Sequence, residues 1–316
     1  MGGNTRILEN FGPPWPGCAV RLGWELREGA VVTDAARTAR SMWTLFEPIH
    51  AVTYFSPEAR SAFERAGLRG FWRGYFAGRA APLGAAGAAV VTASFFNFAP
   101  AFVARAIPGV WELISPGEAL RVRSAGAAEA LRGLFAGREE QAADAADLLW
   151  RAIGDLDCPG RMLAAANAAL PAAGDEPADV ARLWQAATLL REHRGDGHFA
   201  ALAATDLDGC EAVVLRCGLD LRREDMQPIR GWTDEQWDDA QARLAGRGLI
   251  EADGRLTRAG LDVHAAVEDA TDRAASRPWA RLGAEATAEL RAVLTPLAWA
   301  CATLMPFPSP IGVPAP

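Results

Sequence analysis

The stretch TLLREHRGDGHFAALAATDLDGCEA, residues 188–212, carries His193 and His198 with Arg194, Asp196 and two glycines between them. Imidazole is the side chain best suited to moving a proton near neutral pH, and it is a common metal ligand. A separation of five does not put both rings on one face of a regular helix, unlike the HExxH spacing of helical metal sites. The rings converge only if Gly195 and Gly197 break the helix, leaving His193 in a last turn and His198 at the next start. Three roles stay open for the pair: a cap-and-turn held by Asp196, a ligand or proton-transfer site, and a metal site. A histidine near a helix C-terminus also satisfies the helix dipole without any further role.

His50 lies in FEPIHAVTYF, between aromatic and aliphatic neighbours. It reads either as a satisfied core residue or as an acid–base group whose pKa an apolar cavity would move. Tyr54 follows four residues later, on the same helical face if the helix survives Pro48. Tyr54 and Tyr75 are the only tyrosines, and both are candidate phenol donors into a pocket. Asn97 interrupts SFFNF, between Phe95 and Phe98. A buried carboxamide without partners costs roughly 1–3 kcal/mol, so Asn97 either caps a break before Pro100 or points at a ligand. Arg73 and Arg79 alternate with Phe71, Trp72, Tyr75 and Phe76. They either pair with carboxylates such as Glu58 or Glu192, or clamp an anionic group. These residues nominate His50, His198 and Tyr54 as the acid–base set. Asn97, His193, Arg73, Tyr75, Phe95 and Phe98 form the ligand-contacting set. No metal ligand is assigned, and the cofactor is left unknown.

Composition narrows the chemistry. All 32 basic residues are arginine, which removes Schiff-base catalysis, Walker-type and kinase-type phosphate lysines, and Ser–Lys dyads. The net charge of −7 provides no overall basic field for nucleic acid or anionic lipid. Cys18, Cys158, Cys210, Cys217 and Cys301 are scattered without a CxxC, which disfavours thiolate zinc and a disulfide framework and suits a reducing cytoplasm. No charged-then-apolar leader precedes NFGPPWPG, and cytoplasmic localisation is expected. Residues 85–104 run uncharged for about the length of a bilayer span. Their Ala/Gly content, Asn97 and Pro100 favour a buried core helix, and no membrane partner is expected. Neither a GxSxG elbow nor a GxGxxG after a strand is present, and TDLDG (205–209) lacks the closing glutamate of a calcium loop.

The elements that must position these residues are helical almost throughout. Apolar periodicity predicts a helix over 34–55 and one over 56–68 opened by Ser56 and Pro57. The aromatic, glycine-punctuated stretch 69–84 is either a short helix or an irregular pass close to another backbone. Helices follow at 85–104, 116–137, 139–154, 159–170 and 177–193, with a loop at 171–179 and another helix at about 199–217. From 228 the pattern changes to helix, turn, short strand, an Asp253-Gly254 hairpin turn, strand, and a long helix capped by Thr257. The proline-rich tail should lie along the surface or clasp a neighbouring subunit.

Arg247-Gly248-Leu249-Ile250 followed by Asp253-Gly254-Arg255-Leu256-Thr257 resembles the wing of the MarR regulators. HAVTYFSPEA, GFWRGYFAGRAAPLG, SFFNFAP, LLREHRGDGH and PFPSPIG, which span residues 50 to 312, are similar to a family of helix-turn-helix-like proteins from high-GC bacteria. The resemblance implies a winged-helix-like segment and a link to specialised metabolism. In a MarR-like wing the helix before RGLI enters the major groove. Here that helix carries Asp234, Glu235, Asp238 and Asp239 against Arg243, with only Arg255 and Arg258 on the wing. Four carboxylates facing a polyanion argue against DNA as a partner.

The resulting expectation is a mainly α protein, a multi-helix bundle with a C-terminal winged-helix-like subdomain. Its parts are a flexible extension (1–33), a helical ligand-pocket domain (34–227), the winged-helix-like domain (228–295) and a Pro-rich tail (296–316). The first reading is a protein that binds a small apolar or aromatic molecule of specialised metabolism and transforms it without a cofactor, through histidine acid–base chemistry. The alternative is a ligand-responsive MarR-like transcriptional regulator, and the second alternative is a metal or haem protein. The wing and the tail lean toward a homodimer.

Overall fold

The computed structural model describes residues 34–171 and 179–314. The expected N-terminal extension, Cys18 and most of the loop at 171–179 lie outside them. The described chain is mainly helical. Its first half holds α1 (Asp34–Phe55), α2 (Pro57–Arg65), α3 (Phe71–Ala80), α4 (Ala88–Phe95), α5 (Pro100–Ala104), α6 (Pro116–Leu134), α7 (Glu139–Ile153) and α8 (Met162–Ala168). The second half holds α9 (Asp179–Ala204), α10 (Gly209–Cys217), α11 (Arg223–Arg230), α12 (Asp234–Gly246), α13 (Arg258–Ala274), α14 (Arg277–Leu282) and α15 (Ala284–Ala302). Helix starts follow capping chemistry: the Ser56 hydroxyl accepts from the Ala59 N–H, and Ser115 accepts from Glu118, each with proline at the first helical position.

Helix α1 runs through Pro48, whose missing N–H leaves the Thr44 carbonyl without its usual partner. Packing compensates, since Phe46, Ile49, Ala51 and Val52 on either side are buried. The 85–104 segment is two helices rather than one. Helix α4 stops at Phe96, which takes φ 55°, and α5 restarts at Pro100 after an extended Ala99, the conformation a following proline favours. Among the described residues no helix is long and apolar enough to cross a membrane.

The expected break at Gly195 and Gly197 does not occur, and α9 continues through both to Ala204. Each glycine costs a helix interior about 1 kcal/mol relative to alanine. Burial of Leu183, Trp184, Ala186, Ala187, Leu190 and Leu202 along the same helix outweighs that. Gly197 is small because Arg161 crosses there: a Cβ would sit 2.6 Å from the Arg161 guanidinium and 3.3 Å from Ala274. The helix expected at 199–217 is therefore the end of α9 plus a separate α10, opened by an Asp208/Glu211 capping box.

Two large apolar clusters build the body. One gathers α1, α6, α7, α9 and α15 around Trp184, Leu149, Leu294 and Phe46. The other is aromatic, centred on Phe76, Phe95, Phe98 and Phe102 from α3 to α5. A third cluster, around Trp237, Leu244 and Val214, joins the end of α9 to α10–α13. The expected boundaries at 228 and 296 cut across these groups. Helix α10 packs with α12, whereas α15 returns to the body core through Leu290, Leu294, Leu297 and Cys301. The tail beyond α15 folds onto its own chain, with Val313 packed against Ala51 and Met305. The expected hairpin reduces to one antiparallel bridge, Ile250 with Leu256, closed by a turn at Gly254 (φ 84°). The described residues contain no longer strand pairing.

Candidate functional site

A cleft bounded by α1, α2 and α3 leads from Arg60, Glu64 and Gly70 at the surface past Tyr54 and Tyr75. Its inner end is lined by His50, Tyr54, Arg79, Arg123 and Glu192. Free space there is about 10 Å³, the room of a single water.

His50 is buried, with Nδ1 2.9 Å from Thr188 Oγ1 and Nε2 2.9 Å from the Tyr54 hydroxyl. Both partners can donate or accept, so a neutral ring is satisfied at either tautomer. Burial, with the nearby Arg191 charge, holds the His50 pKa well below its usual range. The i, i+4 spacing that predicts His50 and Tyr54 on one face is realised because α1 survives Pro48.

Around this pair lies a buried ionic cluster. Arg79 donates Nε and Nη2 to the two oxygens of Glu192, each at 3.3 Å, and Nη1 to the Tyr75 hydroxyl at 3.2 Å. Its guanidinium also sits 4.2 Å from the Phe95 ring centroid. Arg191 donates to Glu192 at 2.8 Å and to Glu47 at 3.2 Å. Burial works to raise the Glu192 carboxyl, but Arg191 and Arg79 pull it down to about 2. Arg123 differs from both. It donates Nη1 to the Gly78 carbonyl at 3.1 Å and Nη2 to Asn167 at 3.2 Å, and no carboxylate pairs with it. Its Nε is buried without a hydrogen-bond partner among the described residues. Burial lowers its pKa to about 10.

The other nominated residues lie elsewhere. His198 is on α9 about 15 Å along the axis from Thr188, with Nδ1 3.0 Å from Thr271 and 3.8 Å from Glu268. His193 is buried, and its carbonyl accepts from Arg161. Burial lowers His198 to about 4 and, together with Arg161, His193 to about 3. The imidazoles of His50 and His198 thus do not share a cavity. Asn97 uses its carbonyl to accept from Trp232 Nε1 at 3.1 Å, while its side-chain oxygen has no partner. Phe98 lies under Arg230 at 4.8 Å, and Arg73 is exposed on α3. Among the described residues no three His, Cys, Asp or Glu side chains converge on a metal-sized site. Asp196 does not hold a turn; it accepts the Ala164 N–H at 2.9 Å and caps α8. Sequence reasoning missed Arg123, Arg191 and Thr188. The available signal was Arg123 falling on the apolar stripe of α6, in line with Ala119, Gly126, Ala127 and Ala130.

A second ionic cluster joins the body to the C-terminal unit. Arg40 donates to Asp272 at 2.6 Å and to Glu268 at 2.8 Å, and Arg194 donates to Asp272 at 2.7 Å. In that unit α11 ends in Gly231 at φ 77°, and Trp232 and Thr233 lead into α12 through a Thr233/Gln236 capping box. Two helices joined by so short a turn, followed by a bridge and the long α13, make a mainly helical chain with a helix-turn-helix segment. A helix-turn-helix family model matches residues 39–308, and the chain belongs to that family. No curated protein and no solved structure matches it.

Membership overturns the expectation that DNA is not a partner, since helix-turn-helix units are a recurrent means of reading DNA. The α12 carboxylates are partly offset within the chain: Arg223 engages both Asp234 and Asp238 at 2.8 Å. The expected small apolar or aromatic partner is corrected as well. Nothing in the family match supports it, and the inner cleft is lined by charge. An apolar guest there would desolvate guanidinium groups without replacing their bonds.

Proposed function

We propose that this chain is a DNA-binding regulator in which residues 209–274 form a MarR-like winged-helix unit and the helical body carries an effector cleft. The family match over residues 39–308 carries the reading. Local geometry supports it: α11, the Gly231 turn and α12 precede the Ile250–Leu256 bridge, whose connecting turn presents Arg255 with 79% of its side chain exposed. In this reading α12 offers Gln236, Asp239 and Arg243 to the groove, while Arg247, Arg255 and Arg258 approach the phosphates. A homodimer belongs to the reading, because one copy brings few cations and paired half-sites double them. His50 and Tyr54 shape the cleft and need not transfer a proton.

Selection from random duplexes followed by a mobility shift tests this. Retained sequences should be held at low salt and released as salt rises. Combined Arg255→Ala and Arg258→Ala substitution should weaken retention and flatten the salt dependence by about two to four phosphate equivalents per dimer. No retardation of any selected duplex at low salt would sink the reading.

A further inference from the structure

Arg123 is 93% buried by its 7% exposure, yet its Nε has no partner and no carboxylate pairs with it. The carboxylate that bears on it is Glu192, and among the described residues Glu192 is bonded to Arg79 and Arg191 instead. Asp196, one turn further along α9, lies within the field of Arg79 and Arg191 and accepts at the α8 N-terminus. Burial keeps His50 neutral. Arg123 thus stands at the inner end of a cleft that opens to solvent without an ion pair of its own. A buried guanidinium normally has an anion beside it, because an uncompensated charge in low dielectric is costly.

Tyr75 borders the same hollow as Arg123. Tyr75 accepts from Arg79 Nη1, so its own hydroxyl proton is uncommitted by that bond. Its ring stands 5.1 Å from that of Tyr54, and both tyrosines line the inner and the outer parts of the cleft. We infer that this cleft is a binding site for a small organic monocarboxylate, held by Arg123 with help from the Tyr75 hydroxyl. One guanidinium without an ion pair calls for one carboxylate, and a planar carboxylate suits a guanidinium edge in a narrow slot. Since the free volume holds about one water, the carboxylate displaces that water and the acid's chain extends outward past Tyr54 and Tyr75. The inference rests on reading the cleft as the effector site, and it names the class of effector.

Calorimetric titration of the whole chain, without DNA, with acetate, butyrate, the neutral isostere butyramide and inorganic phosphate tests it. Butyrate should bind at least about tenfold more tightly than butyramide, as a charge-assisted contact requires. Arg123→Gln should abolish that preference and Arg123→Lys should retain part of it. Tyr75→Phe removes one hydroxyl and should weaken butyrate several-fold; it decides the matter if Arg123→Gln does not fold. Equal binding of butyrate and butyramide, no binding of either acid, or unchanged affinity in Arg123→Gln or Tyr75→Phe overturns the site. Phosphate binding more tightly than both acids overturns the monocarboxylate assignment. Because DNA is left out, failure here leaves the duplex reading standing. A chain that binds butyrate and no duplex fails only there.

Discussion

Arg194 on α9 donates to Asp272 on α13 at 2.7 Å, and both side chains are buried. Arg40 on α1 reaches the same carboxylate at 2.6 Å, so one acidic group ties two body helices to the C-terminal unit. Removing Asp272 leaves the buried Arg194 with only the longer Glu268 contact, at 3.6 Å. Asp272→Ala should cost about 3–5 kcal/mol, read as a lower urea midpoint. Exposed Asp144→Ala should cost less than about 0.5 kcal/mol. Equal losses in the two variants would show that the junction contributes nothing special.

Acid should destabilise the fold earlier than carboxylates alone predict. His50, His193 and His198 have folded pKa values below the usual 6.5, at about 3 for His193 and about 4 for His198. The unfolded chain therefore takes up protons below pH 6.5 that the folded chain refuses, and stability falls as pH drops from 6.5 toward 4. Asp196 opposes this: burial raises it to about 6, so its folded form binds a proton first and gains stability over the same range. His264 is lowered as well, while burial raises Glu47 and Asp272 alongside Asp196. Four histidines outweigh three carboxyls, and each unmatched proton is worth about 1.4 kcal/mol per pH unit. Urea midpoints measured from pH 7 to pH 4.5 should fall steadily. A flat profile would contradict the burial of neutral rings.

Glycine substitutions should separate by position. Gly231 has φ 77°, and a Cβ there would strike the Phe102 side chain, so Gly231→Ala should lose about 3 kcal/mol or more from strain and overpacking together. Gly133, in α6, faces open space, and Gly133→Ala should gain about 0.5–1 kcal/mol. Thermal unfolding of both variants checks the pair, and a stabilised Gly231→Ala would contradict the turn geometry.

Charge reversal on the exposed face of α12 probes the duplex reading. Asp239→Arg removes a like charge and adds a cation where the groove is expected, so duplex affinity and salt slope should both rise, the slope by about one to two. Asp144→Arg on α7 makes the same charge change away from that face. If both variants bind duplex equally well, α12 is not the contacting helix.

Much of the helical order was legible because apolar periodicity and caps are local signals. Ser56, Thr257 and the Asp253-Gly254 turn stand where their chemistry predicts. The continuity of α9 was not legible, because Gly195 and Gly197 read as breakers until Arg161 and Ala274 are seen packed against that turn. The His50–Tyr54 pair was readable from its i, i+4 spacing. Arg123 was not, since its meaning depends on Gly78 and Asn167, and on Glu192 being bonded to other arginines, none of them close in sequence. The charge of α12 misled for the same reason: Arg223 belongs to the preceding helix.

The 26 residues of α9 form a rod about 39 Å long. Glu192 in the cleft and Arg194 and His198 at the junction all ride on it, with no hinge between them. A twist imposed on such a shaft at one end is delivered at the other, so the two stations turn together.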